Sequence, residues 1–301
     1  MRMNLHAGLL FLLFLQLNLS AQNSKHSESE ITAKEESFFL TDISYINDVV
    51  FMGRKDSIAA PYIYPSLTYF DKSGFFADAS FSYLTSSDQG RIDLFLISAG
   101  FLFDWDQWNA GISGTLYFYN DESYNVQSET VGDLSGFLSY DLNIVEISVL
   151  ASTFFNNENS ADFFAGLMLD RAFFNKDQSF LIDPTLTIYA GSQYFYEAYY
   201  NTSRLGNRKG KGMGSAISQP TENTPVMINE ASKFQLLSIE TSLPMHYQYK
   251  HFIFSFTPVL ALPQSSPTII TEDEVIKEEL KSVFYFSAGI SYWLNTKKTK
   301  G

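Results

Sequence analysis

The 301 residues carry 33 acidic against 20 basic side chains, a formal net charge of −13, and no cysteine. That balance excludes a phosphate-binding surface, which needs concentrated Lys and Arg, so no nucleic-acid partner is expected. Without thiols there is no disulfide framework, thiolate metal centre or lipid-modified N-terminal cysteine. The 28 Phe and 18 Tyr exceed what a water-soluble domain of this length needs to fill a core, whereas a barrel in a bilayer has to clothe its whole outer wall in apolar side chains and gird it with aromatics.

The chain begins with Arg2, an apolar core from Leu9 to Leu15 and small residues up to Ala21, the order of a secretory signal peptide. Residues 1–21 are therefore expected to be cleaved. The run is too short for an anchor helix, which needs about 20 apolar residues. Residues 22–37, rich in Ser, Lys and Glu, read as a flexible leader without fold.

Twelve strand candidates follow, at 38–52, 61–71, 74–85, 91–104, 107–119, 130–141, 143–155, 161–174, 180–191, 233–248, 251–263 and 282–294. Most reach the roughly 9 to 11 residues needed to cross a bilayer at a tilt. Period-two alternation supports them. In 107–119, Trp108, Ala110, Ile112, Leu116 and Phe118 oppose Asn109, Gly111, Ser113, Thr115 and Tyr117. In 282–294, Phe284, Phe286, Ala288, Ile290, Tyr292 and Leu294 oppose Tyr285, Ser287, Gly289 and Ser291. Segment 91–104 is less regular, with Leu94, Leu96 and Leu102 on the face that should be polar. Pro65, Pro184, Pro244 and Pro258 each remove a ladder donor inside a candidate strand and mark bulges or strand ends.

A soluble sandwich also alternates, so connection lengths decide. Tight links at 71–74, 104–107, 141–143, 175–178 and 249–251 alternate strictly with looser ones near 53–60, 86–90, 120–129, 156–160, 192–232 and 264–281. The expected fold is all-β: a transmembrane, antiparallel, up-and-down β-barrel of about twelve strands over 38–294, with tight hairpins at one end and free loops at the other.

With this asymmetry and an aromatic final strand containing Phe284, Phe286, Tyr292 and Trp293, the chain resembles the outer-membrane β-barrel proteins of Gram-negative bacteria. The Ala21-Gln22 junction and the aromatic-rich, cysteine-free sequence resemble barrels of the Bacteroidota. The resemblance implies an outer-membrane address, lipid as surroundings, and the barrel assembly machinery as a partner during biogenesis, which reads a terminal aromatic strand. The leader and a short tail, 295–301, would then lie in the periplasm, and the tail is a departure from a strand that ends on its aromatic.

Alternation places Asp48, Asp78, Asp133, Glu146, Asp162, Asp170, Asp183 and Glu240 on inward faces with few cations to balance them. Carboxylates lining a pore favour cations. The expected function is a narrow channel or solute-specific pore with an acidic lumen, in which Asp133, Glu146, Asp162, Asp183 and Glu240 are fixed negative charges. The alternative is a non-conducting barrel in which those acids are hydrogen-bonded and the 192–232 and 264–281 loops bind a partner protein or surface glycan. The first loop offers Tyr196, Tyr199 and Tyr200, then Arg204, Arg208, Lys209 and Lys211; aromatics followed by cations suit sugars or phosphates. Its glycines do not follow the Walker order, so no nucleotide is expected. The acids of the second loop lack calcium-loop spacing and read as solvated.

No enzyme is expected. His246 and His251 flank a tight link, no Gly-x-Ser-x-Gly elbow occurs, and no Ser-His-acid set stands out. No cofactor or metal is expected, because two histidines spaced five apart make a weak zinc pattern.

Overall fold

An alternating segment can face two solvents at once only when successive side chains point to opposite sides, and the extended strand is the conformation that does this. The computed structural model describes residues 37–55, 60–85, 90–157, 160–201, 227–228, 231–265, 268–270, 275–277 and 280–295. Its wall begins with β1 (Phe38–Ile46), β2 (Tyr62–Phe70), β3 (Phe75–Leu84), β4 (Arg91–Trp105), β5 (Trp108–Tyr119), β6 (Thr130–Asp141), β7 (Glu146–Asn156) and β8 (Ala161–Asp170). Next come β9 (Phe173–Phe174), β10 (Phe180–Ile182), β11 (Thr185–Gly191), the helix α1 (Tyr194–Asn201) and β12 (Met227–Ile228). The remaining strands are β13 (Gln235–Ser242), β14 (Met245–Tyr249), β15 (Phe252–Pro263), β16 (Thr268–Ile270), β17 (Val275–Lys277) and β18 (Val283–Asn295).

Strands β1 to β8, then β11, β13, β15 and β18, pair neighbour to neighbour in antiparallel register, and β1 pairs with β18 to close the ring. The wall is a closed, up-and-down barrel of twelve antiparallel strands, with β10 prolonging β11 and β14 prolonging β13. Closure leaves the ring without an edge, so each stave's backbone groups are satisfied on both sides, as a hydrocarbon surround demands. Strands β12, β16 and β17 form a separate small sheet.

The wall is inside-out relative to a soluble domain. In β5, Ile112, Leu116 and Phe118 are 48%, 55% and 52% exposed, while Asn109, Ser113, Thr115 and Tyr117 are buried. The same division holds in β18, with Phe284, Ile290 and Leu294 outward and Tyr285, Ser287 and Ser291 inward. Around the tight-turn rim the outer face carries cross-strand aromatic pairs: Trp108 with Tyr140 at 4.6 Å, Phe252 with Tyr292 at 4.9 Å and Phe39 with Tyr69 at 5.0 Å between ring centroids.

Each expected tight link contains one residue in the left-handed region: Gly74 (φ 91°), Asp106 (54°), Asn143 (65°), Gln178 (56°) and Lys250 (56°). Tight hairpins require this conformation because only such turns match the twist of the flanking strands. At Gly74 a side chain is also barred by space, since a Cβ would lie 2.2 Å from the Leu102 carbonyl oxygen.

One expected strand is shortened and one expected loop is partly helical, and the segments 161–174, 180–191 and 233–248 are each divided into two strands. The strand expected at 38–52 ends at Ile46, because side chains take over the ladder: Asn47 Oδ1 accepts the Phe286 amide at 2.5 Å, and Asp48 Oδ1 accepts the amides of Val49 and Ala60. The 192–232 connection, expected to be a loop throughout, opens with α1. The prolines act as the missing donors dictate. Pro184 separates β10 from β11, Pro244 separates β13 from β14, and Pro258 lies where β15 passes from pairing with β14 to pairing with β13. Their carbonyls still accept, from the amides of Arg171, Asp183 and Leu243 respectively, so three adjacent staves share one proline seam.

Candidate functional site

The inner face is polar over most of its length, and local backbone irregularities decide where its charges fall. In β4 the positions Phe95, Ile97, Phe101 and Phe103 face outward, so simple parity would send Asp93 outward as well. A bulge, with Ser82 opposite Leu94 but Tyr83 opposite Ile92, turns Asp93 inward beside Leu94, the re-aiming for which bulges are known. Asp93 then accepts from the Tyr62 hydroxyl, from Ser123 Oγ at 2.6 Å and from Arg91 Nε at 3.1 Å. These bonds draw the 120–129 connection into the mouth, where Asn125, Val126, Gln127 and Ser128 are buried.

Three inturned segments fill the loop end. Phe51, from the β1–β2 connection, meets Phe154, Phe164 and Phe195 with ring centroids 5.5, 5.4 and 5.0 Å away. Val126 and the inward Leu94, Leu96 and Leu237 complete this cluster. Two of the three inward leucines that made segment 91–104 irregular, Leu94 and Leu96, thus have a reason: they line an apolar plug. Arg54 braces it, donating through Nη2 to Gln193 Oε1 at 3.2 Å and to the Ser265 carbonyl, with its guanidinium 5.2 Å above the Tyr196 ring.

Helix α1 is held by Asp162. Its carboxylate accepts the amides of Tyr194 and Phe195 at 2.7 and 2.6 Å, Ser192 Oγ at 2.6 Å and Asn156 Nδ2 at 3.0 Å. An anion at a helix N-terminus satisfies orphan amides and complements the helix dipole.

At the opposite, tight-turn end, Phe38, Leu40, Phe70 and Phe76 pack with Leu102, Phe137 and Trp293 as an apolar floor along one side. Gly100 makes room for it, since a Cβ there would lie 2.8 Å from the Phe76 ring. Between plug and floor, Asp78 accepts Thr68 Oγ1 at 2.8 Å, Asp133 accepts the hydroxyls of Tyr117 at 3.0 Å and Ser135, and Glu240 accepts Ser238 Oγ at 3.2 Å and the Tyr285 hydroxyl at 3.4 Å.

All five expected lumen charges point inward and are buried, but they do not form one ring. Asp133 and Asp162 flank Phe154 across neighbouring strands in an upper tier. Glu146 and Asp183 meet in a lower tier with Asp141 and Asp170: Glu146 lies opposite both of these, and Asp170 lies opposite Thr185, two residues beyond Asp183. Of the expected loop residues, Tyr196 is 2% exposed inside the plug, and Tyr199 and Tyr200 belong to α1. Arg204, Arg208, Lys209 and Lys211, like the acids at 272–274 and 278–279, lie outside the described residues. Sequence reasoning missed Asp93, hidden by the bulge, Asp141, assigned to a turn, and the inturned Arg54.

No family model matches the chain. No curated protein matches it either. Among solved structures, the chain is similar to a KdgM porin (7% identity, 84% of this chain and 98% of that one, TM-score 0.45) and a NanC porin (9%, 84% and 98%, TM-score 0.44). It is also similar to a bacterial polysaccharide outer membrane secretin (7%, 86% and 98%, TM-score 0.43).

Proposed function

We propose that the protein resides in the outer membrane of a Gram-negative bacterium, of the Bacteroidota kind its sequence resembles, and acts there as a narrow, gated channel with an acidic, cation-leaning lumen. The observation that carries this reading is a wall with carboxylates inside and aromatics outside, stoppered at its loop end by segments that are not staves. Fixed carboxylates lower the energy of a cation in a pore and raise that of an anion. Because α1 and the 47–55 and 120–129 connections stand apart from the ring pairing, their displacement would open a path without breaking the wall. The loop end would face outward and the tight turns the periplasm, with lipid around the barrel and the assembly machinery engaging β18 during insertion.

Planar-bilayer recording tests this. The unaltered protein should be mostly closed, Phe51→Ala or deletion of 194–201 should raise its open time, and Asp133→Asn with Glu240→Gln should reduce cation preference. Silence from both plug variants, verified as folded, would sink the reading. A second reading draws on the packing at both ends: the barrel does not conduct, and the 192–232 and 264–281 connections bind a partner protein or surface glycan. It predicts silent bilayers in every variant and loss of the partner when 202–226 is removed.

A further inference from the structure

Phe51 and Arg54 are joined across the tip of the first connection by two main-chain hydrogen bonds of 2.8 Å, with Met52 (φ 47°) and Gly53 (φ 75°) between them. Two successive left-handed residues closed in this way make the two-residue turn of a β-hairpin, which fixes the flanking residues relative to each other. The tip sits flush with the wall, since a Cβ at Gly53 would lie 3.1 Å from both Pro263 Cβ and Ser238 Oγ. At the neck, Asp48 closes the connection on itself, accepting the amides of Val49 at 3.1 Å and Ala60 at 3.2 Å and Lys55 Nζ at 2.5 Å.

The two flanking side chains grip consecutive residues of α1. The Phe51 ring lies edge-on to Phe195 at 5.0 Å, and the Arg54 guanidinium lies 5.2 Å above the Tyr196 ring. Arg54 also donates to Gln193 Oε1 at 3.2 Å, just before the helix, and to the Ser265 carbonyl beyond β15, while Gln193 Nε2 donates to Ser265 Oγ at 3.3 Å. The other two inturned segments are tied to the wall itself: α1 to β8 by its amides on Asp162, and the 120–129 connection to β4 by Ser123 on Asp93.

We propose that the 51–54 turn is a rigid bolt, the moving part of the stopper, whose two prongs Phe51 and Arg54 engage and release together. A guanidinium that holds two acceptors and a ring face defines one locked position, and a ring seated among three others has no half-withdrawn resting place, because packed interiors switch between discrete arrangements. The cross-bonded turn ties the two prongs into one body, so that neither leaves while the other stays. The purpose of the bolt rests on the gated-channel reading, but its mechanics do not.

Thiol labelling tests it. The chain has no cysteine, so Met52→Cys places a single thiol at the half-buried tip. In the refolded full chain in micelles, a charged maleimide should modify it slowly. Arg54→Gln, Phe51→Ala, and Gly53→Val, which crowds the tip off the wall with both prongs intact, should each speed the reaction roughly tenfold or more, the scale of losing a charged hydrogen bond or a buried ring. The compact band on unheated gels should persist in each, so that a faster rate reports the tip and not the loss of the barrel. The proposal is overturned if Met52→Cys alone reacts as fast as Ser73→Cys on the exposed part of the 71–74 turn, or if any of the three substitutions leaves the rate unchanged. Labelling that quickens while the same variants stay silent in planar bilayers supports the bolt and overturns conduction, which separates the two failures.

Discussion

Asp162 shows how much one inward carboxylate can do. Its place on the inward face reads as that of a pore charge, but its oxygens are occupied by two main-chain amides, a serine hydroxyl and an asparagine amide. Hydrogen bonds to a charged group contribute about 1.5–3 kcal/mol each, so Asp162→Ala should release α1 by roughly 3 kcal/mol or more. Hydrogen exchange should then quicken at Tyr194 and Phe195 while the amides of β8 stay protected; unchanged exchange would assign the helix to aromatic packing instead. Parity in 161–174 made the inwardness of Asp162 legible, but not its role, because three of its four partners lie some thirty residues away in sequence. Asp93 marks the opposite limit: period two sends it outward, and only the bulge reverses it.

Among elements, the hairpins were the most legible and α1 the least. Short links rich in Asp, Asn, Gly and Lys announced the turns, and Gly74 and Asn143 even supplied residues suited to the left-handed conformation. Gln178 and Lys250 did not, since there the strands impose it. The stretch Tyr194–Asn201 is aromatic-rich with modest helix propensity, so its helix depends on Asp162 and the plug. The 71–74 turn carries a pH prediction. Ser73, through hydroxyl and amide, and then the Ser37 and Tyr69 hydroxyls hold the half-buried Asp71 carboxyl well below its ordinary value. A depressed value means that the stabilisation is fully present above the unfolded carboxylate range, about pH 4, and fades as pH falls through the folded value. Exchange at the Ser73 amide, corrected for intrinsic rates, should therefore accelerate in strong acid, and Asp71→Asn should flatten that dependence.

At the scale of the whole molecule, the strand count, ring topology and inside-out wall followed from alternation and connection lengths, because both arise from the same demand of hydrocarbon outside and polar groups within. Which segments stopper the lumen did not follow, since that depends on how distant loops fold back. A barrel with this exterior should fold only with detergent or lipid, giving a compact band on unheated gels that shifts on boiling; a folded monomer in plain buffer would contradict it. The ring is completed only where Phe38 meets Asn295 and the rest of β1 zips onto β18. Until that pairing forms, the nascent sheet is an oily ribbon with two raw margins, and stitching it shut competes with sticking to another copy. The first process is unimolecular and the second bimolecular, so correct product should be won by dilution or by escorts that keep unfinished chains apart.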